Sequence, residues 1–364
     1  MTAPEHGGPG AAAPPRPIVH HLGRGGDIAG GMTQVVNGYL EWPFEHVDTR
    51  LIVTRGDPGD SIAAARLAAA AAVQISGLRR STPQVVVAHL SEGGSFLREG
   101  SLLRMARARG IPTIAHLHGS SFAEFAARRP GVVGGVLRAA DRVISLSEES
   151  TEVAAGFVDR ERIELIPNAI PESSPTAKHP IVAFGGVVGH RKGIDVLQRA
   201  WADLGGARDG WRLVVAGPVR DEHLVDRQAD GVEFVGSLPH DELMALLDES
   251  LVAVLPSREE AMPMFILEAL ARRCCVVSTD VGGIEAVLRD GAGLVVPPGD
   301  AEALRAALES VLVDRGLLEA VADEGARVFA ERFSATAVFP RVESLWLDAI
   351  NGGRARTLAA GAAV

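Results

Sequence analysis

A strand–helix alternation runs twice along this chain of 364 residues, and a short segment rich in proline and serine separates the two runs. In the first half, "PIVHHL", "TRLIVT", "QVVVAHL", "PTIAHLHG" and "DRVISLS" read as short strands, with Ala- and Arg-rich helical stretches between them. "IPNAIPESSPTAKHP" interrupts the rhythm and reads as a linker. The rhythm restarts with "IVAFGGV", "WRLVVAG", "VEFVGS", "LVAVLPS", "CCVVSTD" and "AGLVVPP". Strands that alternate with helices need crossover connections, so each sheet is parallel and covered by helices. The predicted fold class is α/β, with two Rossmann-like, doubly wound parallel-sheet domains facing across a cleft. The predicted limits are a disordered lead-in over 1–16, an N-terminal domain over 17–171 and a linker over 172–180. A C-terminal domain over 181–334, a closing helix over 335–350 and a mobile tail over 351–364 complete the chain. In open α/β sheets ligands bind at the carboxyl ends of the strands, so the chemistry is expected on the loops just after them.

Composition removes several classes of function. Hydrophobic residues make up 47% and charged residues 23%, a globular balance. A net charge of −10 argues against nucleic acid as a main partner. Within that acidic total, Arg98 to Arg142 holds eight arginines against three acids. This stretch reads either as a solvated helix face or as a surface for an anionic acceptor or a membrane. The two cysteines, Cys274 and Cys275, are adjacent in an apolar run, which implies packing in a reducing compartment rather than a disulfide framework. No Cys/His group has zinc spacing, so no metal ligands are expected. The N-terminus lacks the basic start and apolar core of a signal peptide, and no run is long enough to span a bilayer. The expected location is the cytoplasm, with a peripheral position at the inner face of the membrane left open.

No GxGxxG fingerprint fits the glycines near Gly23, and no GxxxxGK[ST] loop occurs, so NAD enzymes and P-loop NTPases are excluded. The strongest local signal is "LPSREEAMPMFILEALARRCCVVSTDVGG". A strand gives way to a loop with Glu259 and Glu260, Pro263 suits the first turn of a helix, and Glu268 lies eight residues beyond Glu260. The free amides of Met264 and Phe265 would then face outward at the helix start, where partial positive charge favours a diphosphate. In "VAFGGVVGHRKGIDVL", glycines after a strand allow close approach of a ligand, and Arg191 and Lys192 supply charge. With two lysines against 34 arginines in the chain, a lysine in this loop is less readily explained as surface decoration. In "GRGGDIAGGMTQVV", Gly30 and Gly31 precede a helix that a phosphate or sugar can approach. In "IAHLHGSSF", His116 and His118 follow a strand, with His118 at its carboxyl end.

Taken in order, these segments resemble the retaining glycosyltransferases of family 4, which have the GT-B fold, over nearly the whole chain. "EEAMPMFILEA" resembles that family's Glu-x7-Glu motif, and "GGVVGHRKG" its donor loop; "GGMTQVV", "HLHGSSF", "IPNAI" and "VEFVGSLPHDEL" resemble further landmarks. The resemblance implies a nucleotide-diphosphate sugar as donor substrate, an acceptor hydroxyl and no cofactor. It makes the N-terminal domain the acceptor side and the C-terminal domain the nucleotide-sugar side. By the same resemblance Glu260 contacts the donor sugar, Glu268 holds the ribose, and Lys192 and Arg191 neutralise the diphosphate. Gly30 and Gly31 would face that diphosphate from the opposite domain, His118 would meet the transferred sugar, and Gly236 and Ser237 would line the base pocket. The closing helix would pack back on the N-terminal domain.

The chain departs from the family pattern at three points. Val187 stands where an arginine is usual, Ala261 where glycine is favoured after the first acid, and Glu285–Ala286 where Pro-Glu is common. The first of these leaves the diphosphate clamp to Arg191 and Lys192. Metal-dependent transferases of the other common fold use Asp-x-Asp, and this chain contains no such triplet. Rival readings are a catalytically silent sugar-nucleotide-binding subunit and a GT-B epimerase or phosphorylase. The acceptor is expected in polysaccharide or glycoconjugate synthesis, lipid-linked acceptors included, with a small natural product as the alternative.

Overall fold

The computed structural model describes residues 16–26, 30–56, 61–174 and 176–361, so the predicted lead-in over 1–16 lies outside the described residues except for Arg16, which donates to the Val47 carbonyl at 2.8 Å. Its N-terminal sheet contains β1 (Ile18–Gly23), β2 (Asp48–Val53), β3 (Gln84–Leu90), β4 (Thr113–Leu117), β5 (Arg142–Ser145) and β6 (Ile163–Leu165). The spatial order is β2-β1-β3-β4-β5-β6, and every neighbouring pair is parallel. The C-terminal sheet contains β7 (His179–Gly185), β8 (Arg212–Ala216), β9 (Val232–Gly236), β10 (Ser250–Leu255), β11 (Cys275–Thr279) and β12 (Leu294–Val296). Its order is β12-β11-β10-β7-β8-β9, again parallel throughout. The GT-B architecture of two facing doubly wound sheets is thus present.

Periodicity located eleven of these strands but not β6. With three residues, "IEL", and an exposed glutamate between its two apolar ones, β6 carries too little pattern to register. The central strands are apolar without alternation because helices cover both faces. All seven residues of β3 and all six of β10 are buried. Small residues let the helices approach: a Cβ added at Gly100 would come 2.6 Å from Val136. Cys274 and Cys275 are free and fully buried, as expected of packing residues.

The last helix runs from Ala335 to Gly361, which corrects the predicted end at 350 and the predicted tail from 351. Gly352 and Gly353 suggest a helix stop, yet Gly353 serves close packing: a Cβ there would lie 2.3 Å from Pro112. The helix returns to the N-terminal domain and is fixed there by an aromatic cluster. Trp346 is fully buried and makes edge contacts with Tyr39 at 5.3 Å, Phe44 at 4.9 Å and His21 at 5.3 Å. Phe339 lies 5.1 Å from Tyr39 and 5.3 Å from Trp42. His46 donates its backbone N–H to Glu343 at 2.6 Å. Aromatics are only 4% of the chain, so their collection at this one junction marks it as the anchor between the chain's end and its beginning.

The basic stretch is engaged locally. Arg98 pairs with Glu99, Arg107 with Asp141 and Arg128 with Glu124. Those pairs involve all three acids of the stretch and three of its eight arginines. No helix among the described residues is long and apolar enough to cross a membrane.

Trp346→Ala should lower the unfolding free energy by about 3–5 kcal/mol, the usual cost of emptying a large aromatic site. Urea unfolding of the two proteins checks this. A loss below about 1 kcal/mol, within the range of a surface change, would show that the cluster does not hold the helix.

Candidate active site

The candidate residues gather on loops at the carboxyl ends of the C-terminal strands. Gly185 ends β7, and Gly186 leads into the loop that ends at Gly193. After β10 come Ser257, Glu259 and Glu260, and then the helix Met264–Ala271. After β11 come Gly282 and Gly283. These loops are pressed together backbone to backbone. Gly282 has φ +58°, and a Cβ on it would fall 1.7 Å from the Glu260 carbonyl oxygen. Gly283 donates its N–H to the Ala261 carbonyl at 2.7 Å. No side chain fits there, so the pair of glycines sets the height of the acid loop above the sheet.

On that base, Lys192 donates to the Glu260 carboxylate and Ser257 Oγ donates to the same oxygen at 2.8 Å. Arg191 stands 3.6 Å from it and donates to the Glu259 carbonyl at 2.8 Å. Glu260 and Lys192 are 8% and 11% exposed, while Arg191 is 43% exposed. Burial holds the Lys192 ammonium below the usual lysine range, and the Glu260 carboxylate opposes that shift. Arg258 is not available to a ligand, since both its terminal nitrogens bind Asp195, at 2.8 and 2.7 Å.

Met264 and Phe265 open the helix, so their N–H groups have no carbonyl four residues back within it. Pro263 is the capping residue just before the helix rather than part of its first turn. Across the cleft, Gly31 begins the helix Gly31–Glu41, and a Cβ on it would meet Met264 at 3.4 Å. Gly31 thus faces the start of the helix Met264–Ala271, while a Cβ on Gly30 would meet Arg24 and Thr33 of its own domain; residues 27–29 lie outside the described residues. Ser121, from "HLHGSSF", donates to Glu259 at 3.0 Å, and Asn168, from "IPNAI", donates to the Met262 carbonyl at 3.3 Å.

Glu268 lies just over one turn along the same helix and is buried. Burial pushes its carboxyl up to about 7, and the Arg272 guanidinium opposes this only in part. His240, 3.9 Å away, begins the helix that follows Gly236 and Ser237. Gly236 is linked to the rest by backbone: Gly217 donates to its carbonyl at 2.7 Å, and Gly186 donates to Ala216 at 2.9 Å.

Two family models match the chain: "Glycosyl transferase 4-like domain" over residues 16–169 and "Glycosyl transferases group 1" over 178–314. The chain belongs to the group 1 glycosyltransferases. Among its relatives, the glycosyltransferase shares 28% identity over 329 residues with glycogen synthase of Mycobacterium tuberculosis, covering 78% of this chain and 76% of that one. It is 30% identical over 176 residues to α-D-kanosaminyltransferase of Streptomyces kanamyceticus, a match that spans 46% of each chain. Sucrose-phosphate synthase of Thermosynechococcus elongatus shares its fold, with a TM-score of 0.73 at 19% identity over 93% of this chain and all of that one. HepE of Anabaena, solved with UDP and glucose, gives 0.67 at 16% identity over 93% and 99%.

The glycosyltransferase therefore brings Lys192, Arg191 and Glu260 into one cluster, with Met264, Phe265 and Gly31 beside it. His118 and the Gly236–Ser237 turn stand on separate loops, with no hydrogen bond to Glu260 among the described residues. Sequence reading missed Ser257, which no spacing rule marks, and Asn168, quoted only as a landmark. It also missed His21 and His89, buried strand residues that come beside His118 only through the sheet.

The Glu268 carboxyl gives the ligand-free fold a defined pH dependence. Its folded value near 7 lies above the ordinary 4.5, so its contribution is complete below pH 4.5 and declines as pH rises to about 7. The slope is about 1.4 kcal/mol per pH unit. Urea unfolding at pH 5, 6, 7 and 8 should show wild type losing ground to Glu268→Gln up to pH 7 and holding level above it. A difference independent of pH would contradict the raised value.

Proposed function

We propose that this glycosyltransferase moves a sugar from a nucleotide-diphosphate sugar to an acceptor hydroxyl, with retention of anomeric configuration and without a metal ion or cofactor. The observation that carries the reading is the buried Lys192–Glu260 pair, with Arg191 beside it, four residues before a helix start that faces Gly31. When the donor enters, its diphosphate oxygens take over Lys192 and Arg191 and accept from the amides of Met264 and Phe265. Gly30 and Gly31 close on the diphosphate from the other domain. Glu260, released from its cations, accepts from a hydroxyl of the sugar. Glu268 accepts from the ribose, the Gly236–Ser237 turn borders the base, and His118 meets the transferred sugar. The UDP and glucose of HepE, which shares the fold, support this type of donor.

Cleavage of the glycosidic bond leaves its electron pair on the diphosphate. Lys192, Arg191 and the helix start lie where that charge grows, so they act most strongly in the transition state. The acceptor hydroxyl attacks on the face from which the diphosphate departs, and its proton passes to the departing oxygen. Glu260 has no role as nucleophile in this scheme. The acceptor belongs to polysaccharide or glycoconjugate synthesis, and the protein works in the cytoplasm or against the inner face of the membrane. A catalytically silent sugar-nucleotide-binding subunit is the rival reading, and sugar transfer by the purified protein excludes it.

Transfer from a nucleotide sugar should persist in EDTA. Turnover abolished by the chelator and restored by magnesium or manganese would overturn the metal-free part of the reading. Glu260→Gln should reduce transfer sharply while UDP still binds, whereas Glu268→Ala should weaken UDP binding itself. Identical behaviour of the two variants in both assays would refute the division of roles.

Because Val187 replaces the usual arginine, Lys192→Ala and Arg191→Ala should each lower turnover as well as donor affinity. Each charge-assisted hydrogen bond contributes about 1.5–3 kcal/mol. Val187→Arg should restore part of the activity of Arg191→Ala. Unchanged kinetics in Arg191→Ala would assign the clamp to another residue.

A further inference from the structure

Strand order in the N-terminal sheet brings three imidazoles into a hydrogen-bonded row. His21 Nδ1 lies 3.0 Å from His89 Nε2, and His89 Nδ1 lies 3.0 Å from His118 Nε2. His21 is on β1, His89 on β3, and His118 follows β4, with its backbone N–H bonded to the Leu90 carbonyl at 2.7 Å. The inner members, His21 and His89, are fully buried, while the ring of His118 reaches the partly open end of the row. Desolvation pushes the pKa of every member down, that of His89 to about 3, so all three are neutral at ordinary pH.

A neutral imidazole has one N–H and one acceptor nitrogen. Both bonds must therefore run in the same direction. If they run inward, from His118 to His21, the proton on His21 sits on Nε2. If they run outward, His21 Nε2 is an acceptor. The inner end of the row decides between them. His21 Nε2 is buried without a partner, and so is the Nε1 of Trp346, whose ring meets that of His21 edge-on at 5.3 Å. An indole nitrogen can only donate. Inward bonds would add a second buried donor without an acceptor, His21 Nε2–H, to the unpartnered Trp346 Nε1–H, and orphaned buried N–H groups are the rarer kind. Outward bonds leave a bare acceptor nitrogen on His21 and add no further orphaned donor.

We propose that the row runs outward, so that His21 and His89 are positioning residues that hold His118 as its Nδ1–H tautomer, presenting a hydrogen-bond donor to a sugar oxygen in the cleft. The sugar contact rests on the functional reading above; the tautomer does not. His118 Nδ1 has no partner among the described residues and is the row's free end. In this arrangement His118 donates and is not a proton acceptor. The Trp346 ring of the closing helix packs edge-on against His21 at the buried end of the row. His116, whose ring centroid is 4.0 Å from that of His118, has no partner on either nitrogen and adds no link. Nitrogens of His89, His116 and His118 lie within 4.8 Å of one another, so a bound metal ion is the competing occupant of this space.

The test is a two-bond 1H–15N correlation spectrum of the full chain labelled with 15N-histidine, at pH 7.5, assigned with single substitutions of His89, His116 and His118. The expected result is an Nδ1–H tautomer for His21, His89 and His118. Nε2–H on His89 and His118 would overturn the proposal, and so would one equivalent of metal in the purified protein with ring nitrogens shifted by ligation. Activity supplies a second measurement. His89→Leu should lower kcat about tenfold, the equivalent of one lost hydrogen bond, leave the Kd for UDP unchanged and release His118 into a tautomer mixture. His89→Gln, which keeps a donor and an acceptor, should recover most of the turnover. Equal loss in both variants would reduce His89 to a space-filling residue and defeat the proposal. Full turnover in His118→Phe, with the tautomers as expected, would instead remove the sugar contact and leave the row intact.

Discussion

The cleft is organised around one ion pair held almost out of water. Taking a carboxylate and an ammonium from solvent costs several kcal/mol per ion, and close contact restores that only with good geometry and further hydrogen bonds. Glu260 has both: Lys192 and Ser257 converge on one of its oxygens, and Arg191 stands behind them. The arrangement requires β7 and β10 to be neighbours, because the cation comes from the loop after one and the acid from the loop after the other. Removing either partner would strand a buried charge, so the two loops hold each other in place. In the function proposed above, a diphosphate takes the place of the carboxylate as the partner of the same cations.

Close backbone approach makes this pair possible. The Glu260 carbonyl rests on Gly282, and the Pro256 carbonyl rests on Gly193, where a Cβ would lie 2.0 Å from it. These glycines act by what they lack rather than by flexibility. They let three loops settle as a single layer on the carboxyl edge of the sheet, with the helix start at Met264 pointing into the cleft.

The N-terminal domain answers from the other side with a different kind of order. Its helix start at Gly31 meets Met264, and its aromatic cluster captures the closing helix through Trp346 and Phe339. The chain therefore crosses back to the domain where it began, which ties the two sheets by a packed helix as well as by the linker. The same tryptophan touches His21, so the packing that joins the chain's ends also borders the buried imidazole row.

Much of this was legible in the sequence. Strand runs such as "QVVVAHL" and "LVAVLPS" announce a parallel sheet because both faces are covered, and the glycine–lysine and Glu-x7-Glu segments announce where charge gathers. Those signals are local: each is complete within one strand, one turn or two helical turns. The end of the final helix was not legible, because Gly352 and Gly353 look like a stop until Pro112 is seen packed against Gly353. Nor was the short edge strand β6, whose three residues hold no period. The partners of Glu260 and His118 could not be read either. Ser257 matters through a loop fold that its composition does not encode, and His89 reaches His118 only because β3 and β4 pair in register. By itself the sequence determined the element types, the two-sheet class and the residues that carry charge, since these follow from periodicity and chemistry over a few neighbouring positions. Tertiary structure alone decided which of those residues touch, since strand order and loop docking join positions dozens of residues apart, and no local pattern records that distance.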